Sequence, residues 1–255
     1  MSRRLIVNAD DFGFTPDVNL GILEAHRNGI LTGTTLMANG DAFDDAARIA
    51  QATATLDIGC HLVLIGGRSL LPPYAALPRS VPELLRALAT RRLRVYDELA
   101  AQVHKILAAG LRPTHLDTHK HTHLAPPVLE AVARVAEEFE IRWVRRPFDL
   151  PALGWLFHRV LARHGCRTTD HFTGFRLTGR FGAAELVRLI RELPEGLTEF
   201  MCHPGYCGQA LRGAPTRLKE SRERELQALT APETRRALLD CGVDLIDYRR
   251  AMLKV

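Results

Sequence analysis

Leu5-Ile-Val-Asn8 is a short apolar run that continues through Ala9-Asp10-Asp11-Phe12-Gly13-Phe14 into Thr15-Pro16. A longer stretch follows, closed by Gly29, and then a second β-type run, Thr34-Thr-Leu-Met37. Thr15 and Pro16 form an N-cap and first-turn pair, and Gly29 is a helix stop, so the segment reads as strand, helix, strand. The same alternation recurs downstream. Residues 41–54 predict an Ala-rich amphipathic helix, 57–64 a strand, 96–109 a helix capped by Gly110, 114–117 an extended run, 127–139 a helix and 141–145 a strand. After Pro147 the pattern is indistinct. It resumes with a helix over 183–193, a strand over 198–202, a helix from Pro232 to Gly242 and a strand over 243–248. About seven strands separated by helices predict parallel βα units, and 255 residues suit one α/β domain built as a parallel (β/α) barrel. An open doubly wound sheet is the main competitor, but the chain has no G-x-G-x-x-G. Two long Gly- and Pro-bearing segments, 66–82 and 204–215, are expected to be binding loops or lids.

The densest chemical signal is His115-Leu-Asp117-Thr-His119-Lys-His121-Thr-His123, which holds four of the 11 histidines in nine residues, 115 to 123. If the stretch is extended, its period of two turns all five polar side chains to one side. A helical spacing of His115, His119 and His123 is the alternative. Pro113, Pro126 and Pro127 leave little room for it, and β-branched Thr118 and Thr122 favour the strand. The bland reading is a His-rich polar surface loop.

Composition narrows the classes. Hydrophobic residues make up 46% and charged residues 25% of the chain, as in ordinary globular proteins. The net charge of +5 is a mild bias. Arg91-Arg92-Leu93-Arg94 and residues 217–224 are basic, but no aromatic residues interleave them, so they read as solvated faces or turns and argue against nucleic-acid binding. Five scattered cysteines without a CxxC predict neither a disulfide framework nor a zinc ribbon, and they suit a reducing, cytoplasmic setting. No signal-peptide pattern and no apolar run of membrane-spanning length is evident. For assembly, a homodimer is the base-rate expectation.

In a parallel barrel the active site lies at the C-terminal strand ends. That rule collects Asp10 and Asp11, His61, the histidine-rich run, Arg145 and Arg146, and His203 on one rim. Each also has a plainer explanation. Asp10-Asp11 before Phe-Gly suits a turn, His61 in an apolar strand and His203 suit hydrogen-bonded core residues, and the arginines suit strand-end caps. His26, His104, His158, His164 and His171 sit in helical or loop contexts and read as structural.

Leu5-Ile-Val-Asn-Ala-Asp-Asp-Phe-Gly13, Gly29-Ile-Leu-Thr32, His61, the histidine-rich run and Met201-Cys-His-Pro204 together resemble the YdjC-like carbohydrate deacetylases, a group with chitooligosaccharide and hopanoid-associated branches. The likeness covers most of the chain and is clearest over 4–64 and 112–148, with Lys120 and Gly67-Arg-Ser-Leu-Leu-Pro-Pro73 nearer the hopanoid-associated branch. The resemblance implies a distorted (β/α) barrel related to polysaccharide deacetylases, a divalent metal (Mg²⁺ or Zn²⁺), and removal of an N-acetyl group from an amino sugar. It implies Asp11, His61 and His119 as metal ligands, Asp10 as general base and His203 as general acid. Arg145 or Arg146 would then keep Asp10 ionised, and Asp117 would orient a ligating imidazole. His121 and His123 stay open as substrate contacts or alternative ligands. An imidazole of ordinary, near-neutral pKa suits the acid role. Two competing functions remain, a barrel metallo-phosphoesterase and a non-catalytic carbohydrate- or metal-binding protein.

Overall fold

In the computed structural model, which describes residues 2–146 and 151–253, strands and helices alternate along the chain. The order is β1 (Arg3–Phe12), α1 (Pro16–Asn28), β2 (Gly33–Leu36), α2 (Phe43–Ala52), β3 (Asp57–Leu62), α3 (Val81–Ala89), α4 (Val95–Ala108), β4 (His115–Thr118), α5 (Pro126–Glu138) and β5 (Trp143–Val144). There follow α6 (Pro151–Arg163), β6 (His171–Thr173), α7 (Ala183–Arg191), β7 (Gly196–Cys202), α8 (Gln209–Gly213), α9 (Glu220–Thr230), α10 (Pro232–Asp240), β8 (Val243–Leu245) and α11 (Tyr248–Met252). Short 3₁₀ segments cover His119–Leu124 and Phe175–Leu177. Pro147 and Phe148, the end of the second stretch of resemblance, lie outside the described residues.

The predicted opening unit forms as read. Thr15 accepts a hydrogen bond from the Val18 backbone N–H and starts α1 at Pro16. All strand pairings are parallel, in the order β5-β4-β3-β2-β1-β7-β6. The ten-residue β1 is the spine. One of its edges pairs with β7, and its other partners are β8 at Arg3–Leu5 and β2 from Asn8 onward. Among the described residues, an isolated parallel bridge, Trp143 to Arg167, ties β5 to the segment that precedes β6. The expected distorted parallel barrel is what the chain forms.

Period-two alternation sorts the strand residues. Leu5, Val7 and Ala9 face outward into the main apolar core against the helices. Ile6 points inward and packs with Trp143, Leu197, Ile246 and Tyr248, a hydrophobic plug at the bottom of the barrel. Above the plug the interior turns polar. His115 donates its Nε2–H to Asn8 Oδ1 at 2.9 Å and stacks on Tyr248 at 4.0 Å. Gly59 makes room for that ring, since a Cβ there would lie 2.5 Å from His115 Nε2. The next interior layer holds Asp10, His61, Asp117 and Arg145. The polar residues of the site thus stand directly on the plug.

Three expectations are corrected. The run 115–123 is not one extended strand, because β4 ends at Thr118, and Lys120 and His121 adopt left-handed φ values of 54° and 51°. Its five polar side chains therefore do not share one side. The predicted strand over 243–248 ends at Leu245, and Tyr248 begins a helix. The basic stretch 217–224 runs into α9, whose Arg222 is buried rather than solvated.

Candidate active site

Asp10 and Asp11 should point to opposite sides of an extended strand, yet both reach the same rim. Asp11 takes a left-handed φ of 69°, and the β1–β2 register shifts between Ala9 and Phe12. This bulge swings the second carboxylate back over the barrel mouth.

There Asp11 meets His61 and His119. Asp11 Oδ1 lies 3.4 Å from His61 Nε2 and 3.1 Å from His119 Nδ1, and the two imidazole nitrogens are 3.2 Å apart. Ligands bonded at about 2.0–2.1 Å to a common ion are separated by roughly this much. Asp11 Oδ1 is buried and lacks a hydrogen-bond partner, as expected of an atom that faces a cation. The other oxygen, Oδ2, accepts from Arg222 of α9 at 2.5 Å. Burial would raise the Asp11 pKa, but the Arg222 guanidinium and the two histidines hold it well below the carboxylate range.

His61 is aimed by its neighbour in the register, Asp117. Its Nδ1–H donates to Asp117 Oδ1 at 2.7 Å, which leaves Nε2 for the gap. The Thr35 hydroxyl donates to Asp117 Oδ2 at 3.0 Å and fixes that carboxylate in turn. Burial opposes the charged form of His61, yet Asp117 and Asp11 raise its pKa to about 10, so a cation binding there must displace a proton.

Arg145, buried at 1% exposure, ties the layer together. Its Nη1 and Nη2 donate to Asp10 Oδ2 and Oδ1 at 2.8 and 2.7 Å, a bidentate fork. Nη2 also sits 2.8 Å from Asp117, and Nε donates to Glu199 Oε1 at 2.8 Å. Of the two arginines considered, Arg145 is thus the partner of Asp10. Burial alone would raise the Asp10 pKa, but Arg145 outweighs it and keeps the carboxylate ionised far into acid. Asp10, His61 and Asp117 also lie close enough to form a second cation-binding group. Both Asp10 oxygens and one Asp117 oxygen are already committed to Arg145, so the Asp11–His61–His119 group is the better place for an ion.

His203, at the end of β7, directs Nε2 toward Asp10 Oδ2 at 3.9 Å. Burial pushes its pKa down to about 4, so the resting imidazole is neutral. The near-neutral value expected of it is overturned by desolvation. The remaining histidines of the run divide. His121 lines the cavity beside Phe175, with ring centroids 5.1 Å apart. His123 is buried against the Thr118 hydroxyl at 2.6 Å, and burial lowers its pKa to about 3, which suits a structural role. His26, His104, His158, His164 and His171 do not line the cavity.

These groups floor a cavity of about 740 Å³, the size class of small-molecule sites. Both long loops reach it, through Gly66 and Gly67 on one side and Pro215 on the other. A third wall, Phe175 to Arg180, comes from the segment whose pattern was indistinct. Gly174 brings it close. Its φ is +105°, and a Cβ there would meet the Met201 carbonyl oxygen at 2.2 Å. Arg222, Glu199 and Glu225 were not anticipated. The one available signal was α9 itself, whose buried Arg222, Glu225, Leu226 and Leu229 recur at helical spacing.

Residues 4–240 match the family described as YdjC-like protein. The chain belongs to that family. A carbohydrate deacetylase from Geobacillus stearothermophilus is 39% identical over 98% of each chain. A solved structure from Enterococcus faecalis V583, named provisionally as a cellobiose-phosphate cleavage protein, superposes with a TM-score of 0.85 at 25% identity, covering 98% of this chain and 99% of that one. A CE4 family pseudoenzyme, at 12% identity and a TM-score of 0.50 over 98% of this chain and 67% of its own, shares the fold alone. The fold is thus also found in a protein named as a pseudoenzyme, and activity has to be argued from the residues of the site.

Proposed function

We propose that this chain is a metal-dependent carbohydrate N-deacetylase that hydrolyses an N-acetyl group of an amino sugar, carried on an oligosaccharide or a glycolipid. One observation carries the reading. A carboxylate that Arg145 holds ionised at rest, Asp10, and a neutral imidazole, His203, flank a gap bounded by His61 Nε2, His119 Nδ1 and the unsatisfied Asp11 Oδ1. The deacetylase names of full-length relatives support it.

A divalent ion held by Asp11, His61 and His119 would supply Lewis acidity, polarising the acetyl carbonyl and lowering the pKa of a water molecule. Two imidazoles and one carboxylate suit Zn²⁺ or another transition ion better than Mg²⁺, which prefers oxygen donors. Asp10 accepts the proton of the attacking water. Its pairing with Arg145 makes it a weak base, so the proton passes on. His203, at about 4, is the stronger base of the two, and a water or the substrate's own amide can span the 3.9 Å between them. From His203 the proton reaches the leaving nitrogen as the C–N bond breaks, and acetate and a free amine result.

The phosphoesterase alternative draws no support from a second metal, because the second candidate group is held by Arg145. The deciding experiment is acetate release from N-acetylglucosamine oligomers and N-acetylated glycolipids, with Zn²⁺ or Mg²⁺ restored after chelation. Release is expected to follow metal occupancy. Fully loaded protein that releases no acetate from any substrate would favour a binding protein.

The protonation states predict a rate profile. With metal saturating, kcat/KM should stay level from neutral pH down and fall only through about pH 4, because His203 must be neutral to collect the proton. An acid limb at the ordinary imidazole value of 6.5 would contradict the assigned order of proton transfer.

A further inference from the structure

We propose that Glu225 is a positioning residue that acts through His203, holding that imidazole and the Phe175–Arg180 wall of the cavity in one fixed arrangement. This inference rests on the deacetylase reading above.

Glu225 lies on α9, is 1% exposed and faces the site rather than solvent. Its Oε2 accepts the backbone N–H of His203 at 2.5 Å, and its Oε1 accepts that of Gly179 at 2.7 Å. Neither amide has a partner in the sheet. The β1–β7 ladder ends at Cys202, one residue before His203, and Gly179 falls between the 3₁₀ segment and α7. A single carboxylate therefore joins the element that carries His203 to the loop that carries Arg176 and Arg180 into the cavity.

The cost of burying this carboxylate argues for a purpose. A neutral side chain would be cheaper to bury, but an amide offers one acceptor oxygen where two donors wait. One helical turn earlier the same face presents Arg222 to Asp11. From one rigid helix, α9 thus orients a candidate metal ligand, the proton-carrying imidazole and one wall of the pocket. Because His203 Nε2 already stands 3.9 Å from Asp10, a displacement of about 1 Å at its backbone would disrupt the transfer, at a cost of order 10²-fold.

The test uses Glu225→Gln in the full chain, alone and combined with His203→Gln. In wild-type protein, amide hydrogen exchange at Gly179 and His203 should be slow although both lie outside regular ladders. In Glu225→Gln, exchange at one or both should accelerate. The expected kcat loss is about 10- to 100-fold, with metal content unchanged and KM altered by a smaller factor. Against a His203→Gln background the same substitution should cost little more, because its effect runs through His203. Fast exchange at either amide in the wild type, an unchanged kcat, or a loss that simply adds to that of His203→Gln would overturn the proposal. If the wild type releases no acetate, the deacetylase reading fails on its own, and the exchange measurements still decide whether the clamp exists.

Discussion

Asp10→Asn is expected to lower kcat by about 10²- to 10⁴-fold while leaving the metal content of the protein unchanged. Asp10 is not one of the three atoms around the Asp11–His61–His119 gap, so an ion should still be held. In the proposed mechanism, what disappears is the acceptor for the water's proton. The substitution also leaves an amide nitrogen facing the Arg145 fork, whose two N–H groups now reach both Asp10 oxygens at 2.7 and 2.8 Å. Some loss of stability should therefore accompany the loss of rate, and thermal unfolding must be recorded beside turnover. Metal analysis and acetate release on the same sample separate the possibilities. A variant that keeps its metal and its rate would remove Asp10 from the chemistry. One that loses metal as well would move Asp10 into the ligand set, toward the alternative group with His61 and Asp117.

Arg145→Ala should produce the largest loss of stability of any single change at the site, about 3–5 kcal/mol, or a fall of roughly 6–20 °C in Tm for a chain of this size. Arg145 is the shared counter-charge of Asp10, Asp117 and Glu199, all within 2.8 Å of its nitrogens and all buried. Removing it strands three carboxylates in the barrel interior. Burial already raises the pKa of Glu199 with Arg145 in place, and without it proton uptake should rise. Arg145→Lys is not a conservative control, since one ammonium cannot serve the three directions of the guanidinium fork. It should recover part of the stability and little of the rate. A mild change in Tm for Arg145→Ala would mean that water enters the layer and solvates the stranded carboxylates, and the dry electrostatic account of Asp10 would fail with it.

Much of this architecture was legible along the chain. Thr15-Pro16 and Gly29 delimit α1, and the apolar runs that became β1, β2, β3 and β7 follow from side-chain chemistry that acts locally. The residues at their ends, Asp10, Asp11, His61 and His203, could be gathered on one rim because parallel barrels present strand ends together. What misled was also local in origin. A nine-residue polar alternation satisfied the rule for a strand, but Lys120 and His121 are forced into left-handed turns so that the chain can leave the barrel and start α5.

The amino-acid sequence by itself therefore determined the order of strands and helices, the polar strand ends and the pairing of two adjacent aspartates, since each depends on residues within a few positions of one another. Only the tertiary structure decided how those groups are arranged and charged. The bulge at Asp11 turns both carboxylates to one side, and Arg145 meets Asp10 across 135 positions of chain. Arg222 reaches Asp11 across 211, and burial shifts His203 to about 4. Charge pairing and desolvation depend on distance in space and on exclusion of water, and both exist only once the barrel has closed around them.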